Sequence, residues 1–223
     1  MTELKSHLQN LAFQSGISLF GVAEITAAVR KNFHPALFPV AEEFNRAISL
    51  GFVLSATVLE SLVDRPTLLY LQHYRMANLL LDQTALKLTR EIEKNGFRAL
   101  PIPASQVVDW QNFKGHLSHR QIGYLAGLGW RGRSGLLVNP DHGARVRYVS
   151  ILTDSPFEPG KPLNRNCGEC QSCLAACPAG AITPSGYDRE KCRALLTRFA
   201  REDRLGQHIC GLCQKACPSP SSR

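Results

Sequence analysis

The sequence predicts an α+β protein, in which an α/β body is followed by a small module organised by metal. Helix-like and strand-like hydrophobic patterns alternate through the first two thirds of the chain. All eight cysteines lie between Cys167 and Cys217. A Pro/Gly-rich stretch at residues 155–166 separates the two regions and is predicted to be a linker. We therefore expect a body at residues 1–157 and a cysteine-rich module at residues 158–223.

Hydrophobic spacing predicts the first elements of the body. Leucine and alanine recur at three- and four-residue intervals over residues 3–15, which predicts a helix, and Gly16 follows where a C-terminal cap belongs. A short strand is expected over residues 18–23. Residues 47–55 are almost continuously apolar, which predicts a second strand buried on both faces.

The longest predicted helix has a helical repeat of apolar residues from Tyr70 to Ile92, and Gly96 ends it. A strand over residues 97–102 follows, and we expect Pro101 and Pro103 to break it into a loop.

Two further elements complete the predicted body. Ser118 and Gln121 match a capping box, which predicts a helix that starts at Ser118. The last strand is expected over residues 145–153.

Composition narrows the class of protein. The 223-residue chain is 44% hydrophobic, has no uninterrupted apolar run near the ~18 residues of a membrane span, and starts with no apolar signal core. Disulfides fit such a chain poorly, so we expect a cytoplasmic protein with reduced cysteines.

The formal charge of the chain is +8, from 26 basic and 18 acidic residues. Two thiolate-ligated 4Fe-4S clusters of about −2 each would leave a surplus suited to an acidic electron donor, an anionic cofactor or RNA.

The cysteine spacing predicts two 4Fe-4S clusters. The run Cys167, Cys170, Cys173, Cys177 and a following proline matches the bacterial ferredoxin pattern, whose fourth cysteine ligates the other cluster. A second run lacks its first cysteine and holds Cys210, Cys213 and Cys217. Cys192 is the one cysteine left over, and we expect it to fill the vacancy. Zinc or mixed sites are the alternative that the paired Cys-x-x-Cys spacing leaves open.

The segment GLGWRG, Gly127 to Gly132, matches the Gly-x-Gly-x-x-Gly letters of a dinucleotide-binding loop. That loop requires a strand before it and a helix after it, whereas the predicted order here is helix and then extended chain. Two readings remain: close approach of the backbone to a large planar ligand, or a sharp helix-to-strand turn.

Residues 126–154, followed by this cysteine pattern, resemble the epoxyqueuosine reductases and their relatives. Those enzymes are cobalamin-dependent reductases akin to reductive dehalogenases. The resemblance implies a nitroreductase-like α/β body that holds a corrinoid, beside a ferredoxin-like module that reduces its cobalt. The implied corrin contacts are Leu128, Gly129, Trp130, Arg133 and Ser134.

The resemblance has departures. The family carries an aspartate as presumed proton donor before this turn, and here Asp109, several residues upstream, is the candidate. Tyr124 is a second candidate donor, with a buried aromatic as the alternative reading. The family's helical-repeat extension, which helps to grip tRNA, does not follow Cys217, so we do not expect a tRNA substrate.

Polar residues crowd the predicted helix start at Ser118. Together with His119 and Arg120, it could bind an anionic group of a corrinoid or hold a proton donor, whereas ordinary capping is the alternative.

Two hypotheses follow for function. The first is a cobalamin-dependent oxidoreductase that takes electrons from a low-potential donor, such as ferredoxin or flavodoxin, and reduces a small-molecule or nucleotide-like substrate. The second is a non-catalytic electron-transfer or corrinoid-activating protein. No membrane partner is expected.

Overall fold

A computed structural model describes residues 1–218. Its helices are α1 Thr2–Gln14, α2 Ala27–Arg30, α3 Phe38–Ala41, α4 Ala56–Glu60, α5 Leu68–Lys94, α6 His119–Leu125, α7 Ser172–Ala175, α8 Arg189–Arg201 and α9 Leu212–Ala216, with a 3-10 turn at Pro35–Leu37. Its strands are β1 Leu19–Glu24, β2 Arg46–Val53, β3 Ala99–Ile102, β4 Trp130–Arg131, β5 Leu137–Val138, β6 Val146–Thr153, β7 Ile182–Thr183 and β8 Gly186–Tyr187. The mixture of helix and sheet confirms the predicted class.

The chain forms two compact units, each built from three stretches. The first unit comprises residues 1–52, 77–128 and 147–163. The second comprises residues 53–76, 129–146 and those from 164 onward. Stretches before and after α6 are thus grouped with the cysteine-rich region. The division expected at residue 157 remains a prediction.

A four-stranded sheet in the order β1-β2-β6-β3 forms the centre of the first unit. β1 and β2 are antiparallel with Leu19 opposite Gly51, and β3 and β6 are antiparallel with Ala99 opposite Thr153. Alternate side chains of these strands enter two hydrophobic cores. One core includes apolar residues of α1 and α5, and the other includes those of α6 and of residues 33–44.

The predicted helices and strands of this unit are confirmed with shifts of one to three residues at their ends. Gly16 and Gly96 have φ of 87° and 82°, the left-handed conformation of a helix C-terminal cap. Ser118 caps α6, since its hydroxyl accepts a hydrogen bond from the Gln121 amide at 3.3 Å.

Two local expectations were wrong. Pro101 does not break β3 but lies within it opposite Ile151, because β3 is an edge strand and tolerates a missing amide. Residues 155–163 of the predicted linker are part of the first unit. Phe157 is buried in the core, and the Gly160 amide donates to the Val22 carbonyl at 2.8 Å.

Within residues 1–218, none of the helices combines the length and the apolarity needed to cross a bilayer.

Phe157→Ala should lower the free energy of unfolding of the first unit by about 3–5 kcal/mol, since it removes a fully buried aromatic ring and leaves a cavity. Urea denaturation followed by circular dichroism measures the change. Phe13→Ala, at a position 43% exposed, is the control and should cost less than about 1 kcal/mol. Equal losses in the two variants would contradict the packing described for residues 155–163.

Candidate iron-sulfur and cofactor site

The cysteines of the second unit are held by short elements joined by turns. Cys173 lies on α7, Cys192 on α8 and Cys213 on α9. The remaining cysteines lie in the loops that flank these helices, and none of the eight, all partly accessible, forms a disulfide.

Mutual electrostatic effects group the thiols into two sets. Cys167, Cys170 and Cys173 all raise the pKa of Cys217, after the larger effect of burial. Cys192 and Cys177 likewise raise the pKa of Cys210. The pKa of Cys213 is raised by burial first and then by the neighbouring thiols, which are those of Cys210, Cys192, Cys173 and Cys177. Three cysteines therefore lie near Cys217 and four lie near Cys213, and Cys173 is common to both groups.

Burial makes these thiols hard to ionise without a cation. The pKa values of Cys210 and Cys217 are raised to about 11, and that of Cys213 is raised further. The dominant cause is desolvation, and neighbouring thiols add to it. Within residues 1–218, no three side chains from His, Cys, Asp and Glu lie close enough together to hold a single metal ion.

Arg133 holds the first cysteine loop in place. Its Nε donates to the Cys170 carbonyl at 3.1 Å, and its other nitrogens donate to the carbonyls of Gly168 and Pro184. The guanidinium thus joins the loop to the β7–β8 hairpin and also lowers the pKa of Cys173, against the larger effect of burial. The predicted contact of Arg133 with a corrin remains a prediction.

A chain of hydrogen bonds anchors α9. The Tyr70 hydroxyl donates to Gln214 Oε1 at 2.8 Å, and Gln214 Nε2 donates to the Ala144 carbonyl at 3.1 Å. Gly211 precedes the helix with φ of 86°, and a Cβ there would come within 2.7 Å of the Tyr70 ring. Sequence analysis missed Tyr70 and Gln214 because nothing in their spacing links residues 144 positions apart.

The glycines of the GLGWRG turn are required by the protein's own packing. In the second unit, a Cβ on Gly129 would lie 2.3 Å from the Val138 carbonyl oxygen, and one on Gly132 would lie 2.5 Å from the Val138 side chain. In the first unit, a Cβ on Gly127 would meet the Lys161 carbonyl at 2.6 Å. Because backbone and side chains fill these positions, the tight-turn reading accounts for the glycines.

Trp130 is the residue of this turn that has a buried hydrogen-bond donor without an acceptor. It pairs with Val138 between β4 and β5, and its indole Nε1 is buried without a hydrogen-bond partner. A buried donor of this kind costs about 1–3 kcal/mol unless a ligand or water satisfies it. Gly129 and Ser134 are buried in the same unit, and Leu128, in the first unit, packs against the core beside α6.

His119 is fixed within the first unit. Its Nε2 lies 2.9 Å from the Pro103 carbonyl and its Nδ1 lies 2.9 Å from the Ser150 hydroxyl. A carbonyl can only accept, so Nε2 carries the proton and Nδ1 accepts from Ser150. Enclosure of the ring lowers the pKa of His119 to about 4, and nearby positive charge on Arg147 adds to this.

The other candidates from sequence lie near the start of α6 and in the loop before it. The Asp109 carboxylate accepts hydrogen bonds from the Asn112 amide at 2.9 Å and from its side chain at 2.8 Å. These bonds hold the pKa of Asp109 below its ordinary value, which favours the carboxylate over the acid. Arg120 is exposed at the first turn of α6, and Tyr124 is half-buried farther along it.

Sequence analysis missed a polar group inside the first unit. Arg147 Nε donates to Asn78 Oδ1 at 3.1 Å, and a further nitrogen donates to the Ala104 carbonyl at 3.2 Å. The hydroxyls of Tyr148 and Ser49 are buried without a partner. This group could have been predicted from the ionisable and hydroxyl side chains that lie inside the predicted strands.

Comparison with known proteins was made at three levels, and no family model matches the chain. Among curated proteins, the epoxyqueuosine reductase of Bacillus cereus is 38% identical over 113 residues, which cover 47% of this chain and 30% of the relative. That of Bacillus subtilis is 33% identical over 113 residues, or 47% of this chain and 29% of the relative. The chain thus matches about a third of the length of these enzymes, to which it is similar.

Solved structures share the fold over nearly the whole chain. An epoxyqueuosine reductase bound to an epoxyqueuosine-modified tRNA-Tyr stem loop has a TM-score of 0.68 at 20% identity, over 97% of this chain and 65% of that one. A catabolic reductive dehalogenase in complex with 3-bromo-4-hydroxybenzoic acid has a TM-score of 0.74 at 19% identity, over 97% of this chain and 31% of that one. These likenesses show a fold shared with epoxyqueuosine reductases and reductive dehalogenases.

The lowered pKa of His119 predicts an acid-sensitive contribution to stability. The folded state resists protonation until about pH 4, whereas the unfolded ring binds a proton near pH 6.5, so this contribution is complete above pH 6.5 and is lost as the pH falls towards 4. The stability advantage of the wild type over His119→Gln should shrink by about 2–3 kcal/mol between pH 7 and 4.

Urea denaturation at several pH values measures this difference. The matched control is His7→Gln, because the His7 side chain is 58% exposed, and its offset from the wild type should stay nearly constant. An equally constant offset for His119→Gln would contradict the enclosed neutral ring.

Proposed function

We propose that this chain is an iron–sulfur reductase in which two 4Fe-4S clusters pass low-potential electrons to a bound cobalamin. The substrate reduced there would be a small molecule or a nucleotide-like group. The observation that carries the proposal is the approach of cysteines from both runs, and of Cys192, to one another in the second unit, with none of the eight in a disulfide. Similarity to epoxyqueuosine reductases supports it, as does the fold shared with a reductive dehalogenase described as B12-dependent.

The proposed ligands follow from these two sets. Cys167, Cys170, Cys173 and Cys217 would hold the first cluster, and Cys177, Cys192, Cys210 and Cys213 would hold the second. The exchange of Cys177 and Cys217 between the runs is the pattern of two-cluster ferredoxins. Iron in each cluster would supply the positive charge that the buried thiols otherwise lack.

The proposed architecture extends the observed fold. We propose that residues 1–157 form a nitroreductase-like body that binds corrinoid and substrate, and that residues 158–223 form a ferredoxin-like cluster module. The grouping of cysteines supports the module. The four-stranded sheet between two helix-bearing cores supports the body.

Cobalamin fits the chemistry of the residues around the GLGWRG turn. The buried Trp130 indole N–H would donate to an acceptor on the cofactor, with Leu128, Gly129, Arg133 and Ser134 as further contacts. At the start of α6, Ser118 and Arg120 are the proposed contacts for an anionic group, and His119 would join them only by exchanging its Pro103 or Ser150 partner. When bound, cobalamin would supply a strongly nucleophilic, redox-active metal for reduction of the substrate.

Reduction of an organic substrate also consumes protons, which the chain must supply. Asp109 and Tyr124 are the proposed donors. The Asp109 carboxylate would have to exchange its Asn112 hydrogen bonds for a proton before it could act as an acid. A solved relative, the Bacillus subtilis epoxyqueuosine reductase, has a catalytic aspartate loop that is swung out of its active site.

Cys192→Ala should remove the second cluster and leave the first. Iron should fall from about eight to about four atoms per chain, because one corner of a single cluster loses its thiolate. Iron analysis and EPR of anaerobically reconstituted protein measure this. Thr197→Ala, on the same helix, is the control and should retain both clusters. Two intact clusters in Cys192→Ala would refute the assignment.

Trp130→Phe should weaken cobalamin binding by about tenfold, the effect of one lost buried hydrogen bond of about 1.4 kcal/mol. Titration of reconstituted protein with cob(II)alamin, followed by calorimetry, measures the affinity. The iron content of the variant should stay unchanged, which would show that weaker cobalamin binding does not result from loss of a cluster. Trp110→Phe, at a position 62% exposed, is the matched control. A wild-type protein that binds no corrinoid would contradict the proposal.

A non-catalytic electron-transfer or corrinoid-activating protein is the second candidate. The observation that favours it is the Asp109 carboxylate, whose local hydrogen bonds stabilise the ionised form. Turnover separates the candidates. Consumption of a substrate by protein loaded with cobalamin and reductant would exclude the carrier, whereas transfer of electrons only to another protein would exclude the enzyme.

A further inference from the structure

Helix α8 presents a row of positive charge. Arg189, Arg193 and Arg201 lie at four-residue steps together with Thr197, so they form a row that winds over about a third of the helix circumference. The whole helix carries five basic side chains and one acidic, Glu190, which lies 3.8 Å from Arg193. Asp188, which caps the helix, and the Glu202–Asp203 pair after it bound the row at its ends.

This row lies beside the cysteine set around Cys213. Cys192 is on α8 itself, next in sequence to Arg193. The positive row and Cys192, one of the proposed ligands of the second cluster, therefore lie on the same helix.

The other cysteine set lies against the GLGWRG turn. A Cβ on Gly132 would be 3.7 Å from the Cys167 sulfur, and one on Gly143 would be 3.3 Å from the Cys217 sulfur. Resting on the proposed function, this places the first cluster beside the turn that contacts the cofactor. The second cluster, on the α8 side, is then the one that receives electrons.

We infer that the arginine row of α8 is the docking surface for an acidic one-electron donor protein that carries a flavin or an iron–sulfur centre. In each encounter the donor would be oxidised by one electron and the second cluster reduced by one electron. Opposite charges would raise the encounter rate and orient the donor centre towards Cys192. Electron tunnelling weakens steeply with distance, so a docking surface on the helix that bears a ligand gives a short path.

A protein fits this surface better than a nucleic acid. The row from Arg189 to Arg201 spans thirteen residues, or about 18 Å of helix between its ends, which suits one face of a small redox protein. Its acidic flanks would repel a phosphate backbone that continued past either end. RNA binding is therefore an outcome of the test and not part of the proposal.

The test compares two double variants that change the net charge equally. The first variant, Arg189→Glu with Arg201→Glu, reverses the charge at both ends of the row. The control variant, Lys31→Glu with Arg90→Glu, changes exposed residues of the first unit at the end of α2 and on α5. Stopped-flow absorbance follows reduction of the oxidised clusters by a reduced acidic 2Fe-2S ferredoxin and, separately, by dithionite. Iron content is measured for every preparation.

We expect the α8 variant to be reduced by ferredoxin about tenfold more slowly than the wild type at low ionic strength, with the difference shrinking as salt is added. Dithionite should reduce it at the wild-type rate, and the first-unit variant should lose less than about threefold with ferredoxin. Wild-type rates with ferredoxin for the α8 variant, or equal losses in both variants, would overturn the proposal. Loss of binding to a tRNA stem loop with unchanged reduction by ferredoxin would overturn it in favour of RNA. A wild type without clusters would instead refute the proposed function.

Discussion

The gathering of thiols at close range is the constraint on which the second unit depends. Desolvation and the approach of neighbouring sulfurs raise the pKa values of Cys210 and Cys217 to about 11, so these groups resist the ionisation that metal binding requires. In the proposed clusters the charge of the iron would favour this ionisation and would couple metal binding to folding of the unit. The surrounding scaffold must hold the cysteine loops close together while the thiols are protonated.

Most of that scaffold comes from outside the cysteine-rich region. Arg133 donates to three carbonyls of the cysteine loop and the neighbouring hairpin, and Tyr70 with Gln214 secures α9. Tyr70 and Arg133 come from residues 53–76 and 129–146, which explains why the second unit is assembled from three stretches of chain.

Local patterns predicted local structure well. The spacing of apolar residues located α1, α5 and the strands of the sheet, because a buried face requires apolar residues at the repeat of the helix or strand that carries it. The same reasoning failed for Pro101 and for residues 155–163. The position of a strand at the edge of a sheet, and the burial of Phe157, depend on neighbours distant in sequence.

The sequence by itself determined the chemistry of the cysteines and their expected exchange between two runs, because ligand type and spacing are local properties. Only the tertiary structure decided that Cys167 lies close to Gly132 of the GLGWRG turn and that cysteines distant in sequence lie near Cys213. It also decided that the turn glycines meet the protein's own atoms, and that His119 is held neutral by Pro103 and Ser150. These properties arise from contacts between residues far apart in the chain, which no local pattern encodes.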